Sequence, residues 1–246
     1  MQMTPSSADT TLSLPAMRAL LLWSLLCPGS LGLISCATSN PVDPVDPLLN
    51  EAIHWYTGEA GHIDDPLARQ LLERAAMDKD AISMMWLARV YSTGRMTYPA
   101  DKPRAVMLAS GVLPEIKALA HAGNAEAMFL LGTAWAEGLG KQEDPEMALQ
   151  WYRRAAAQDH VLAQHNIGNV YFSGTGVEQS DTDAVHWWQL AANAGDTVPM
   201  YRLGTMYELG RGVDADIEQA LAWYQAAAQR RYPAAIEAVA RLTGTL

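Results

Sequence analysis

Cysteine is almost absent from this 246-residue chain: there are two, Cys27 and Cys36, both near the N-terminus. Nothing beyond residue 36 can form a disulfide, so the body must be held by packing. Positive charge is also scarce. Lys and Arg number 17 against 27 Asp and Glu, for a net charge of −10. Removing residues 1–35 takes away Asp9 and Arg18 and leaves that value unchanged. No basic run occurs, which excludes nucleic acid, because phosphate binding needs Lys and Arg to replace counterions. No His-Glu-x-x-His or Gly-x-Ser-x-Gly motif appears. Half of the residues are hydrophobic, enough for one sizeable core or one repeat array.

The first segment reads as an address. Arg18 precedes the apolar run Ala-Leu-Leu-Leu-Trp-Ser-Leu-Leu at 19–26, and Pro28-Gly29 break it. That order is a secretory signal peptide over residues 1–35, and the run is short for a membrane span. Met17 is a better start than Met1, because it gives an ordinary signal length. Leu33-Ile34-Ser35-Cys36 resembles the lipobox of bacterial lipoproteins. The resemblance implies lipidation of Cys36 and cleavage before it. Ala37, in place of a retention Asp, leans towards an outer-membrane lipoprotein facing the periplasm, with inner-membrane or secreted forms as alternatives. Several acyl chains give a stable anchor. Residues 36–47, from the lipidated Cys36 onward, hold Pro41, Pro44 and Pro47. They read as an extended tether with about 30 Å of reach.

The body repeats. Gly132, Gly168 and Gly204 lie 36 apart, as do Gly138, Gly174 and Gly210, and then Gly140, Gly176 and Gly212. Trp151, Trp187 and Trp223 keep the period, and so do the pairs Ala155-Ala156, Ala191-Ala192 and Ala227-Ala228. Such self-similarity marks stacked structural units. Two less regular copies precede these three. The repeats are expected at 45–80, 81–124, 125–160, 161–196 and 197–232, with a capping helix over 233–246. The second is eight longer, and Gly111 and Pro114 are expected to interrupt its second half. Each repeat reads as helix, Gly-rich turn, helix. In the fourth, Ala163, Ile167, Val170 and Tyr171 form an apolar stripe. Asp64, Asp144, Ser180 and Asp216 recur as N-caps of the second helix.

Repeat five carries the fullest motif: Leu203-Gly204, Tyr207, Gly210, Gly212-Val213, Ala220, Trp223-Tyr224 and Ala227-Ala228. This resembles the SEL-one-like repeat, a relative of the tetratricopeptide repeat, over residues 48–242. Departures are Ala52 and Ala88 for the first glycine, and Asp159 and Arg231 for Gly123 and Gly195. The resemblance implies an all-α, right-handed α-solenoid of about five helix pairs with a concave face. It also implies an adaptor or scaffold that binds an envelope or secreted protein, without catalysis or cofactor. The alternative is a glycan-associated factor for exopolysaccharide export or peptidoglycan maintenance.

By the same resemblance, the first helices line the groove. Positions three before the first glycine are Leu49, Met85, Phe129, His165 and Tyr201. One after it stand Ile53, Arg89, Thr133, Asn169 and Thr205, and four after it Tyr56, Ser92, Ala136, Phe172 and Glu208. The stripe mixes aromatics with polar residues, which suits a protein partner. Candidate chemistry is thin. His160 and His165 with Asp159 fall short of a closed metal site. The Gly138-Leu139-Gly140 turns lack a preceding strand and a following Lys-Ser or Lys-Thr. Glu137 and Glu208 read as solvated, and Trp187-Trp188 as core rather than a sugar platform.

Overall fold

A computed structural model describes residues 45–244. The expected signal peptide, the lipidation site Cys36 and the tether as far as residue 44 lie outside the described residues. The rest is helical: α1 (Pro47–Thr57), α2 (Asp65–Ala75), α3 (Ala81–Thr93), α4 (Lys102–His121), α5 (Ala125–Glu137), α6 (Pro145–Ala156), α7 (Val161–Ser173), α8 (Asp181–Asn193), α9 (Thr197–Leu209), α10 (Ile217–Gln229) and α11 (Pro233–Thr243). A short 3-10 turn, Ala76–Asp78, follows α2. Each odd helix packs on the even helix after it, giving five pairs, and α11 covers α10 at the end. The α-solenoid expected from the sequence is therefore the fold.

Each second helix starts the same way. Asp64, Asp101, Asp144, Ser180 and Asp216 each accept the backbone N–H three residues on, at 3.0–3.1 Å. Their own N–H groups donate back to the first helix, to the carbonyls of Trp55, Tyr91, Trp135, Tyr171 and Tyr207. Asp101 escaped the sequence pattern because the turn before it is one residue longer. The other seven inserted residues of repeat two lie inside α4. Seven residues are about two helical turns, so the buried face stays in phase. Ala105, Ala109, Leu113, Ile116 and Ala120 keep that face. The expected interruption at Gly111 and Pro114 does not occur, and α4 runs through both. Ser110, whose carbonyl loses its partner at Pro114, and Pro114 itself are both exposed, so water can take that carbonyl.

A second rule ties the helices of a pair together. A Cβ added at residue 132 would lie 2.7 Å from Tyr152 Cδ1, and at 204 it would lie 2.6 Å from Tyr224 Cδ1. At 168 it would lie 2.5 Å from Trp188 Nε1. Only glycine lets the aromatic ring come so near the partner helix. In repeats one and two the ring position holds Leu72 and Ala109, and the glycine position holds Ala52 and Ala88. The departures are thus paired: where the ring is lost, the methyl fits. The next residue along accepts from the same ring. Tyr152 Oη donates to Thr133 Oγ1 (3.3 Å), Trp188 Nε1 to Asn169 Oδ1 (3.2 Å) and Tyr224 Oη to Thr205 Oγ1 (3.2 Å).

The solenoid curls until its first repeat meets its last two. The Ile63 N–H, in the α1–α2 loop, donates to the Arg230 carbonyl at 3.1 Å. A Cβ on Gly58 would collide with Thr197 Oγ1, and one on Gly195 would lie 3.0 Å from Glu59 Cγ. The inner face is therefore divided into cavities rather than left as one open groove.

Candidate protein-binding surface

The twelve sequence-selected groove residues all lie on first helices, but they do not form one surface. Leu49, Met85 and Phe129 are fully buried in the main core, and Thr133 is sealed with them. Phe129 packs between the Trp86 and Tyr152 rings at 5.9 and 6.0 Å and stacks on His160 at 4.8 Å. Their position faces the neighbouring repeat in this tightly curled array, so stacking consumes it. Arg89 is also buried, with 4% exposure.

The other seven divide among four places. Tyr56 and His165 border a cavity of about 160 Å³ together with Arg89. His165 Nδ1 lies 2.7 Å from Asp196 Oδ2, and Asp196 also accepts the Val198 N–H to cap α9. Asn169 borders a shallow depression with Arg95 and Glu137. Glu208 accepts from both terminal nitrogens of Arg241 (2.7 and 2.8 Å) and from Tyr224 Oη (2.8 Å). Those hydrogen bonds hold its carboxyl below the ordinary glutamate range, the Arg241 bond contributing most.

Phe172, Tyr201 and Thr205 come together. They line a pocket of about 230 Å³ with Trp188, Arg202, Arg211 and Tyr232. Tyr201 packs against Tyr224 and Tyr232 at 5.5 and 5.2 Å. The Arg202 guanidinium stands over Trp188 (5.2 Å) and Phe172 (5.9 Å), and its Nε is buried with no hydrogen-bond partner. Arg211 stands over Phe172 at 4.8 Å and is held by two bonds to Asp181, both 2.9 Å. Leu209, 61% exposed, forms part of the rim. The pocket thus has an aromatic floor and a cationic wall on a chain that is otherwise acidic. Aromatic and Arg anchors of this kind carry most of the energy at protein interfaces.

Arg202, Arg211 and Tyr232 were absent from the sequence-selected set. Tyr232 lay hidden as the N-cap residue of α11, at the very end of the last repeat. Arg202 adjoins Tyr201, and a basic residue beside an aromatic in so acidic a body was the available signal.

The remaining candidates have structural partners. His160 Nδ1 accepts the Ala163 N–H, so Nε2 carries the hydrogen and donates to Glu126 at 3.0 Å. Trp86 Nε1 donates to the other oxygen of Glu126 at 2.7 Å. Glu137 is paired with Arg95 at 2.9 Å. Trp188 is buried against Gly168, and Trp187 packs partly on the core. Among the described residues, no group of three or more His, Cys, Asp or Glu could hold a metal, and no helix is long and apolar enough to cross a membrane.

Comparison with protein families matches the Sel1 repeat, the SEL-one-like unit, at residues 59–80, 81–110, 125–160, 161–196 and 200–232. Among solved structures, the chain is similar to a protective antigen of uropathogenic Escherichia coli that displays an SLR fold. That likeness has 23% identity and a TM-score of 0.53, and covers 79% of this chain and 48% of the antigen. The chain is also similar to a Sel1 repeat protein from Oxalobacter formigenes, at 26% identity and a TM-score of 0.52, covering 78% of this chain and 74% of that one. The chain spans about half the length of the antigen. Comparison with curated proteins gave no match.

Proposed function

Because the chain belongs to the Sel1 repeat family, whose repeats typically mediate protein–protein interaction, we propose that it is a non-catalytic adaptor held in the bacterial envelope as a lipoprotein. A lipid on Cys36 is its anchor, and an envelope or secreted protein is its partner. The observation that carries the binding half is the pocket of Phe172, Trp188, Tyr201 and Tyr232 walled by Arg202. An apolar or aromatic side chain of the partner fills it. The Arg202 guanidinium on the pocket wall takes a carbonyl or carboxylate beside that side chain. Catalysis has no support from the carboxylates, since Glu137 and Glu208 are each engaged by their own arginine.

Photo-crosslinking in intact cells tests the binding reading. A photoreactive residue replacing Leu209, on the pocket rim, should give one discrete protein adduct. That adduct should disappear when Tyr201→Ala is added, and should not form from Met107, an exposed residue of α4. Equal adducts from both positions, or none from the rim in a folded protein, would end the pocket reading. The anchor is tested separately: Cys36→Ala should move the protein from the membrane to the soluble fraction and abolish acyl labelling.

A further inference from the structure

Arg89 occupies a position that its own repeat leaves without a partner. In repeats three to five the equivalent residues, Thr133, Asn169 and Thr205, accept from Tyr152, Trp188 and Tyr224. Repeat two has Ala109 where those rings stand, and a guanidinium where the acceptor stands. The Arg89 Nε and Nη1 atoms are sealed from solvent with no hydrogen-bond partner. The group lies over Trp86 (4.6 Å), Phe129 (5.3 Å) and Tyr56 (5.5 Å). Burial lowers its pKa from the ordinary arginine value, and the nearby Arg95 adds to the effect. Arginine nevertheless stays charged in proteins. A buried cation with empty donors is costly, as is any buried ion left without its pair.

Arg89 also borders the cavity of about 160 Å³ where the curl of the solenoid brings its ends together. Ile63, Leu162 and Val198 give it apolar walls, and Asp65 and Asp196 stand on its border. We infer that this cavity is a binding site for a small organic monocarboxylate, whose carboxylate pairs with the Arg89 guanidinium and whose alkyl part lies against the apolar walls. The planar guanidinium matches a carboxylate in shape and charge. A cavity of this size holds a ligand of about six heavy atoms, the size of benzene. Butyrate has that size. The carboxylate can belong to a free acid or to the end of a peptide. The inference does not rest on the Tyr201 pocket, and its test reads different residues.

The test is calorimetry and thermal melting of the full-length chain at constant ionic strength. The probes are sodium butyrate, a short peptide with a free C-terminal carboxylate, its C-terminal amide, and sodium chloride. Saturable binding of butyrate, with a rise in melting temperature, is expected. If the peptide acid binds more tightly than butyrate and the amide does not bind, the ligand is a chain end. If butyrate binds and the peptide acid does not, it is a free acid. Arg89→Met should lose about tenfold or more in affinity. It should melt at or above the wild-type temperature, because it removes an unpaired buried charge. Ile63→Phe, which narrows the cavity without touching Arg89, should also lose binding. The inference is overturned if no carboxylate binds saturably, if chloride binds as well as butyrate, or if either variant, folded, binds like wild type.

Discussion

Trp188 and Gly168 are so closely apposed that a Cβ at residue 168 would stand 2.5 Å from the indole Nε1. Gly168→Ala should therefore destabilise the chain by about 1–3 kcal/mol, as overpacking does. In Trp188→Leu the same alanine should cost much less, because repeat one already combines Ala52 with Leu72. Urea denaturation of the two single variants and the double variant measures the coupling. Additive effects would show that the glycine is there for another reason.

The residue before each first-helix cap takes the left-handed conformation in repeats two to five and before α11. Two of these are glycines, Gly123 and Gly195, with φ of 103° and 110°. Lys79, Asp159 and Arg231 hold it at 58°, 60° and 61°. A side chain there is strained, so Asp159→Gly and Arg231→Gly should each gain about 0.5–1 kcal/mol, the relief exceeding glycine's entropy cost. Alanine at the same sites relieves no strain and should not help. A loss of stability with glycine would mean that those side chains make compensating interactions.

Two carboxylates should respond to pH with opposite signs. Glu208, held below the ordinary range chiefly by Arg241, stabilises the fold above its unfolded pKa, and that contribution fades as pH falls through the folded value. Glu59 sits at the seam where repeat one meets Asp196. Burial, and then the Asp196 charge, raise its pKa, with His54 opposing. Its ionised form therefore destabilises the fold above the folded pKa, and the penalty vanishes as pH falls below the unfolded value. Glu208→Gln should lower the melting temperature at neutral pH, modestly because Arg241 is exposed to solvent. Glu59→Gln should raise it. Glu59→Gln should converge on wild type by about pH 3, below the ordinary glutamate range, and Glu208→Gln only once pH has fallen through the lowered folded value. Melts across that range that shift both variants in one direction would refute the assignment.

The helix pairs were legible because their determinants are local: caps, turn glycines and a 36-residue period. Asp101 was hidden by one extra turn residue, and the continuity of α4 by a proline whose unpartnered carbonyl can reach water. The pairing of Gly168 with Trp188, and of Ala88 with Ala109, was present in the sequence but needed the second-helix register to be read. The site was less legible because it depends on curvature. Periodicity places Phe129 and Tyr201 at the same repeat position. It does not say that Phe129 is covered by His160 and the neighbouring repeat, while Tyr201 stands at a pocket edge near the end of the array. Nor does it say that Ile63 reaches Arg230 and encloses Arg89.

That difference separates two variants that the sequence treats as equivalent. Phe129→Ala removes a fully buried ring and should cost about 3–5 kcal/mol, a large part of what a domain of this kind has. Tyr201→Ala removes a half-buried ring that borders the pocket, and its main loss should be partner affinity, by about tenfold or more for an interface anchor. Thermal melting and partner retention, measured on both variants, resolve the two roles. If Tyr201→Ala unfolds the chain as readily as Phe129→Ala, the ring is packing for α10 and α11 and the pocket is no binding site. If it leaves the melt nearly unchanged and releases the partner, the end of the solenoid carries the recognition, and the buried members of the stripe only hold it in place.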